Sequence, residues 1–203
     1  MRRQQSSRAE EQCELCSASL AQEHPHLVEL DTRKILCACG ACAMLFDGME
    51  KSRYKRASSR AQLLAGFEMT DSQWESLLIP INMAFFFHSS VEGRVIALYP
   101  SPAGAVESLL PLEAWSEIAE SNRALSMLAP DVEALLVNRV GYVRGLSQAE
   151  YYIAPIDDCY KLVGLIRTHW RGLSGGEEVW EAIGHFFSYL RSNAEVVSGG
   201  ANA

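Results

Sequence analysis

Five of the six cysteines lie within the first 42 residues, and their spacing constrains this chain more than any other feature. Cys13 and Cys16 form one C-x-x-C pair, and Cys39 and Cys42 form a second. In a reducing compartment, thiols clustered in such pairs are metal ligands more often than disulfide partners. The spacing therefore predicts that these four thiolates hold one metal ion in a tetrahedral arrangement.

The segment between the two pairs has the pattern of a β-hairpin. Residues 27–30 and 35–36 are mainly apolar, and the four polar residues 31–34 separate them. A hairpin bracketed by two C-x-x-C turns is the arrangement of a zinc ribbon, in which each pair forms an equivalent tight turn. We expect a zinc-ribbon-like metal-binding module over residues 13–48. Because so short a segment has little core, metal binding would supply most of its folding free energy.

Cys37 adds an alternative to this ligand set. It lies two residues before Cys39, so it is either a replacement ligand or a fifth thiol outside the metal site. Four thiolates suit zinc, but the same donors hold a single iron in rubredoxin-like electron carriers, so zinc is expected and iron is the alternative. His24 and His26 flank Pro25 in a loop. They are interpreted as polar loop residues, with a role beside the metal or as alternative ligands left open.

Charge divides unevenly along the chain, whose formal net charge is −7 at pH 7. Residues 1–60 contain ten basic and eight acidic residues, whereas residues 61–203 contain eight and seventeen. A short basic run follows the cysteines and comprises Lys51, Arg53, Lys55, Arg56 and Arg60. Nucleic-acid binding needs a sustained positive face. We therefore expect a solvated linker or a docking strip for an acidic partner, and do not expect nucleic acid as a partner.

Residues 70–192 have the pattern of an α+β domain. A short helix is predicted at 70–78, and longer helices at 112–128, 157–171 and 174–190. Runs of apolar residues predict strands at 79–87, 94–99, 132–138 and 151–154. From the first long strand onward the order is strand–strand–helix–strand–strand–helix–helix. This order predicts a mainly antiparallel sheet covered by helices on one face.

Local signals mark the ends of these helices. Thr70 and Gln73 have the spacing of a capping box, and residues 174–177 repeat it. Asp157 is placed as the N-cap of the helix before Gly172, which ends that helix. The tight segment 100–104 is expected to end its strand and lead toward a helix.

The remaining segments complete the expected organisation. Residues 1–12 and 193–203 are polar and are expected to be disordered tails, and residues 49–69 are expected to be a linker. No apolar run approaches the length that spans a bilayer, and the N-terminus lacks the pattern of a signal peptide. A cytoplasmic location is expected.

No catalytic constellation stands out in the sequence. The dinucleotide, phosphate, metalloprotease and serine-hydrolase motifs are all absent. Ser101 lies between two prolines with no base to activate it. Cys159 would need His169 or His185, but its place on an apolar helix face predicts a core thiol. We therefore expect no enzymatic activity.

Three blocks of sequence together resemble a known family. They are the cysteine pattern leading into Leu45-Phe46, the run YPSPAGA at 99–105 with Glu107-Ser108, and the run PIDDCY at 155–160 continuing to WRGL at 170–173. Over about residues 13–191 the chain resembles a bacterial family of unknown molecular function, whose members are encoded beside uptake nickel–iron hydrogenase genes and their maturation factors. The resemblance implies an accessory role in hydrogenase assembly or function, and it brings no catalytic residues.

Three functional hypotheses follow. The first is a non-enzymatic accessory protein with a structural zinc site, which binds a protein partner such as a hydrogenase subunit or maturation factor. The second is an electron-transfer protein with rubredoxin-like iron at the same cysteines. The third is a nucleic-acid-binding regulator built on the ribbon and the basic run.

Overall fold

The structure is a computed structural model that describes residues 11–47, 49, 52–109, 112–143, 145 and 147–198. The chain divides between Ala57 and Ser58 into two compact units. Within the described residues, no helix combines the length and the apolar character needed to cross a membrane. Most of the segments expected as tails, residues 1–10 and 199–203, lie outside the described residues.

The first unit is built on the predicted hairpin. Strands β1 (His26–Glu29) and β2 (Lys34–Cys37) pair antiparallel, and helix α1 (Gly40–Asp47) follows directly. A third strand, β3 (Tyr54–Arg56), pairs antiparallel with β1, so the sheet order is β2-β1-β3. This strand lies in the segment expected to be a linker. Its pairing partner is 25 or more residues away, so nothing in the local sequence signals it.

The second unit contains a seven-stranded sheet of order β10-β4-β9-β8-β5-β6-β7. Its strands are β4 (Gln62–Ala65), β5 (Met83–Ser89), β6 (Arg94–Ser101), β7 (Gly104–Ser108), β8 (Glu133–Asn138), β9 (Glu150–Pro155) and β10 (Glu195–Ser198). Every neighbouring pair is antiparallel except β10 and β4, which are parallel. The predicted α+β class and the mainly antiparallel sheet are confirmed. The structure adds β4, β7 and β10 to the predicted strands.

Helices cover both faces of this sheet, not one. They are α2 (Asp71–Ser76), α3 (Leu112–Ser121), a 3-10 helix (Arg123–Met127), α4 (Val140–Val143), α5 (Ile156–His169) and α6 (Gly176–Asn193). Neighbouring side chains of β5 point to opposite faces. Phe86 stacks on Trp115 of α3, whereas Phe85 contacts Tyr160 of α5 edge-on. The continuous apolar run of β5 reflects this double burial.

Several predicted boundaries differ from the structure. The chain turns back after Ser101 into β7 instead of leading to a helix. Asp157 lies in the first turn of α5, because the helix begins directly after Pro155. The capping box at 174–177 does not form, since Gly175 is the N-cap with φ +89°. A Cβ at Gly175 would lie 2.8 Å from Val179 Cγ1, so glycine is required there. The capping box of Thr70 and Gln73 is confirmed.

Candidate metal centre

The first cysteine pair lies on a tight loop. The Cys13 backbone N–H donates to Ala18 O at 2.8 Å, and the Ser17 N–H donates to Cys13 O at 2.8 Å. Ser17 has a positive φ of 61°, which reverses the chain directly after Cys16. The loop therefore directs both thiols of this pair toward one position. Cys13 is buried, and Cys16 is exposed.

The second pair is built differently from the first. Cys39 precedes α1, and Cys42 lies in the first turn of that helix. The Cys42 backbone N–H points back and donates to the Cys39 sulfur at 3.5 Å. The first turn of a helix favours negative charge, because its N–H groups are unpaired. The two pairs are thus a loop and a helix start, and the expectation of two equivalent turns is wrong.

The hairpin brings the two pairs together. The sulfur atoms of Cys13, Cys16, Cys39 and Cys42 all lie within 4.8 Å of one another, and the Cys16 and Cys39 sulfurs are 3.6 Å apart. A tetrahedron of thiolates about 2.3 Å from a zinc ion has sulfur–sulfur edges of about 3.8 Å. All four cysteines are free thiols. This cluster, hereafter the four-cysteine cluster, has donors and spacing that fit one tetrahedral metal ion.

The four thiols of the cluster differ in pKa: two have a lowered pKa and two have a raised one. Burial raises the pKa of Cys13, but backbone N–H groups of Cys39, Leu15 and Cys16 outweigh it and lower that pKa to about 6. The Cys42 backbone N–H also lowers the pKa of Cys39. In contrast, the neighbouring Cys16 thiol raises the pKa of Cys42 to about 12. Four close thiolates repel one another, so the four thiols ionise together only when a cation lies among them. The cluster is therefore suited to bind a cation.

A carboxylate not singled out in the sequence supports the cluster. Glu14, inside the first pair, accepts a hydrogen bond from Lys34 Nζ at 2.8 Å and another from the Cys37 N–H at 2.8 Å. The hydrogen bond from Lys34, with that from Cys37, lowers the pKa of Glu14. Its ionised side chain therefore links the first loop to β2, the strand that leads to the second pair.

Cys37 is not part of the four-cysteine cluster. It lies in a second group with His24 and His26, whose potential ligand atoms are within 4.8 Å of one another. The alternative in which Cys37 replaces Cys39 in the cluster therefore has no support in the geometry. Counting outward from the predicted turn at 31–34 would pair Cys37 with Val28, whereas the register of the structure pairs it with His26, so the sequence did not reveal this second group.

The basic run after the cysteines is partly neutralised. Arg53 pairs with Glu29 at 2.9 Å and lies 3.8 Å from Asp31. Lys55 and Arg56 belong to β3, and Lys51 lies outside the described residues. Of the described residues of the run, Lys55 and Arg56 therefore belong to the sheet of the first unit, whereas Arg60 belongs to the second unit.

In the second unit, the residues considered for catalysis are held by backbone hydrogen bonds, buried in the core or exposed on a helix. The Ser101 hydroxyl donates to Gly104 O at 2.9 Å and accepts from the Ala103 N–H at 3.1 Å, so it closes the β6–β7 turn. Cys159 is fully buried, and burial raises its pKa well above the ordinary value. His169 Nδ1 lies 3.0 Å from Leu165 O, and His185 is exposed on α6. No contact among the described residues assembles these groups into a catalytic set.

The second unit also contains an apolar cavity of about 320 Å³. Its lining includes the β6–β7 turn from Tyr99 to Pro102 and the indole rings of Trp170 and Trp180. No charged side chain is among the described residues that line it. The volume and lining are typical of sites for small apolar molecules.

Comparison with protein families assigns the chain. The model of a family of unknown function, DUF5947, matches residues 12–194, so the protein belongs to this family. Comparisons with curated proteins and with solved structures gave no match. The matched region includes the four-cysteine cluster, the β6–β7 turn and both closing helices.

Proposed function

We propose that this protein is a non-enzymatic accessory protein whose first unit carries a structural zinc ion. One observation carries the proposal: the four sulfurs of the cluster, from two segments more than 20 residues apart, lie within 4.8 Å of one another. Zinc would be bound by Cys13, Cys16, Cys39 and Cys42, and would join the first loop to the start of α1. A closed set of four protein ligands is typical of structural zinc sites.

The small core of the first unit supports a structural role for the metal. Its buried apolar side chains among the described residues are Cys13, Leu27, Val28, Leu36, Ala38 and Ala43, of which only three are larger than alanine or cysteine. Burying so few apolar groups stabilises a fold by only a few kcal/mol. Metal binding would supply the rest of the free energy that stabilises the folded unit.

The ligand set can be tested by cobalt substitution of the full chain. Co²⁺ in four thiolates gives intense thiolate-to-metal absorption, which Cys39→Ser/Cys42→Ser should abolish. Cys159→Ala removes a thiol outside the cluster and serves as the matched control, so it should leave the spectrum unchanged. A cobalt spectrum that survives the double substitution would overturn the proposed ligand set.

An iron site for electron transfer is a second candidate, favoured by the exposure of the cluster. Cys16 is exposed, and Cys39 and Cys42 are half-buried. An electron carrier needs such an accessible ligand, because electrons must reach the metal from a partner. Purified protein with thiolate-to-iron absorption that bleaches on reduction would establish this function. A colourless protein containing zinc would exclude it.

We further propose that the accessory role involves a protein partner in the cytoplasm, where the six free thiols would remain reduced. The sequence resemblance supports a nickel–iron hydrogenase subunit or maturation factor as that partner. Helix α1 offers an apolar surface for it, since Met44 and Leu45 are 76% and 62% exposed. Exposed apolar side chains beside each other are typical of interaction sites.

Co-purification tests this partner. Tagged protein expressed with the hydrogenase subunits and maturation factors should retain one of them, and Met44→Glu/Leu45→Glu should release it. Leu173→Glu changes a fully exposed leucine of the second unit and is the control, so it should retain the partner. If no hydrogenase component is retained, and deletion of the gene leaves hydrogenase activity intact, the hydrogenase role is wrong.

A further inference from the structure

We propose that His24, His26 and Cys37 form a second metal site in the first unit, with two imidazoles and one thiolate as ligands for a zinc ion. The three side chains place a potential ligand atom each within 4.8 Å of the others. None of them belongs to the four-cysteine cluster. The site therefore has its own ligands, and it rests on the proposed function because the structural zinc would hold the same unit folded.

The hairpin register creates this arrangement. His26 and Cys37 are directly opposite each other at the open end of β1 and β2. Side chains of paired residues on antiparallel strands share one face of the sheet. The Ala38 N–H donates to Pro25 O at 3.0 Å, which fixes the loop carrying His24 against the end of β2. The rings of His24 and His26 are 5.0 Å apart and are tilted edge to face.

His24 supplies the observation that points to a ligand. Its side chain is 7% exposed, and its Nε2 is buried without a hydrogen-bond partner among the described residues. A buried polar atom without a partner is uncommon, and an absent ion is one of its ordinary explanations. We therefore assign His24 Nε2 as a metal ligand of this site.

The other nitrogen of His24 is held as metal-binding histidines usually are. Nδ1 lies 2.9 Å from Ala21 O, with Glu11 Oε2 at 3.9 Å on the same edge of the ring. A carbonyl oxygen only accepts hydrogen bonds, so the proton of a neutral His24 is on Nδ1 and the lone pair is on Nε2. Ligating histidines typically donate their second N–H to a carbonyl or carboxylate in this way.

The donor set selects the class of metal. Two imidazoles and one thiolate suit zinc, which is bound by mixtures of histidine and cysteine. Three protein ligands leave the fourth tetrahedral position for water or an added ligand. The four-cysteine cluster, by contrast, fills all four positions. The two sites in one unit thus differ in ligand type and in openness.

Zinc titration of the full chain under native mass spectrometry tests this site. The wild-type protein should bind two zinc ions, and His24→Gln and Cys37→Ser should each bind one. His185→Gln changes an exposed histidine of the second unit and should still bind two. A single zinc ion in the wild-type protein, or two in both site variants, would overturn the proposal.

Cobalt spectra separate failure of this site from failure of the four-cysteine cluster. In His24→Gln the intense four-thiolate absorption should remain, which also shows that the first unit is folded. In Cys39→Ser/Cys42→Ser the four-thiolate absorption should be lost, and the open site should be lost with it, because the first unit needs the structural metal to fold. In His24→Gln only the weaker absorption of the single thiolate should be lost, which would show that the two sites have separate ligands. If the wild-type spectrum contains four-thiolate absorption alone, the open site does not exist.

Discussion

Glu14 and Cys37 hold each other by two hydrogen bonds. The Glu14 backbone N–H donates to Cys37 O at 2.9 Å, and the Glu14 carboxylate accepts from the Cys37 N–H at 2.8 Å. Glu14 lies inside the first cysteine pair, and Cys37 ends the strand that leads to the second. The same two residues thus connect the four-cysteine cluster to the second group of ligands.

Replacement of Glu14 should weaken metal binding. In Glu14→Ala the Cys37 N–H and Lys34 lose their acceptor, so the first loop is held less firmly against β2. Loss of such an outer contact typically costs 10- to 100-fold in metal affinity, and we expect a decrease of about that size. Competition with a chromophoric chelator measures it. Glu23→Ala, an exposed glutamate in the next loop, should change the affinity less than twofold, and an equal effect of both substitutions would contradict this account.

Removal of the metal should unfold the first unit and spare the second. The first unit has the small core described above, whereas the second is built around the double-sided sheet. A chelator with a reductant should therefore collapse the amide resonances of residues 11–57 in NMR spectra and leave those of the second unit dispersed. Zinc added back should restore them. Unchanged resonances throughout the first unit would show that it folds without metal.

Cys159 should resist alkylation in the folded protein. Burial raises the pKa of this thiol well above its ordinary value, so at pH 8 almost none of it is the reactive thiolate. With iodoacetamide and a chelator, Cys16 should react and Cys159 should not, as read by peptide mass spectrometry. Denaturant should then expose Cys159 as a positive control. Equal labelling of the two cysteines in the native protein would contradict the buried placement.

Asp71→Ala should destabilise the second unit through Arg139. The Arg139 side chain is 4% exposed and pairs with Asp71, and its guanidinium lies over the rings of Trp74 and Tyr142. Without Asp71 a buried charge loses its partner, which should lower the free energy of unfolding by about 1–3 kcal/mol.

Urea denaturation of a double-mutant cycle measures this coupling. Asp71→Ala should cost less in an Arg139→Met background, because no charge is then left buried. Glu75→Ala, on the exposed side of the same helix, is the control and should change stability by under about 0.5 kcal/mol. Equal costs of Asp71→Ala in both backgrounds would show that the pair is not coupled.

The sequence predicts the parts of this fold that depend on short-range pattern. The hairpin of β1 and β2 and the capping box of Thr70 follow from local spacing, and so did the grouping of four cysteines. Strand β10 does not, because it is mostly exposed and pairs with β4, over 130 residues earlier in the chain. Pro100 was expected to end a strand, yet it pairs with Ala105 inside the β6–β7 hairpin.

In the candidate sites too, some features follow from local spacing and others depend on long-range contacts. The cysteine spacing was enough to group four thiols, but their unequal surroundings depend on the start of α1 at Gly40. The role of Glu14 depends on a contact across 23 residues, which the spacing of the cysteines does not reveal. The group around His24 depends on the hairpin register and on burial of one ring nitrogen.

The sulfur coordination of the bound metal tests the central claim most directly. X-ray absorption of zinc-loaded His24→Gln, which retains only the four-cysteine cluster in this account, should show four sulfur neighbours at about 2.3 Å. The same protein with Cys39→Ser/Cys42→Ser added should bind no zinc. Two or fewer sulfur neighbours around zinc in His24→Gln would contradict a metal held by Cys13, Cys16, Cys39 and Cys42, as would zinc that persists after the added substitutions.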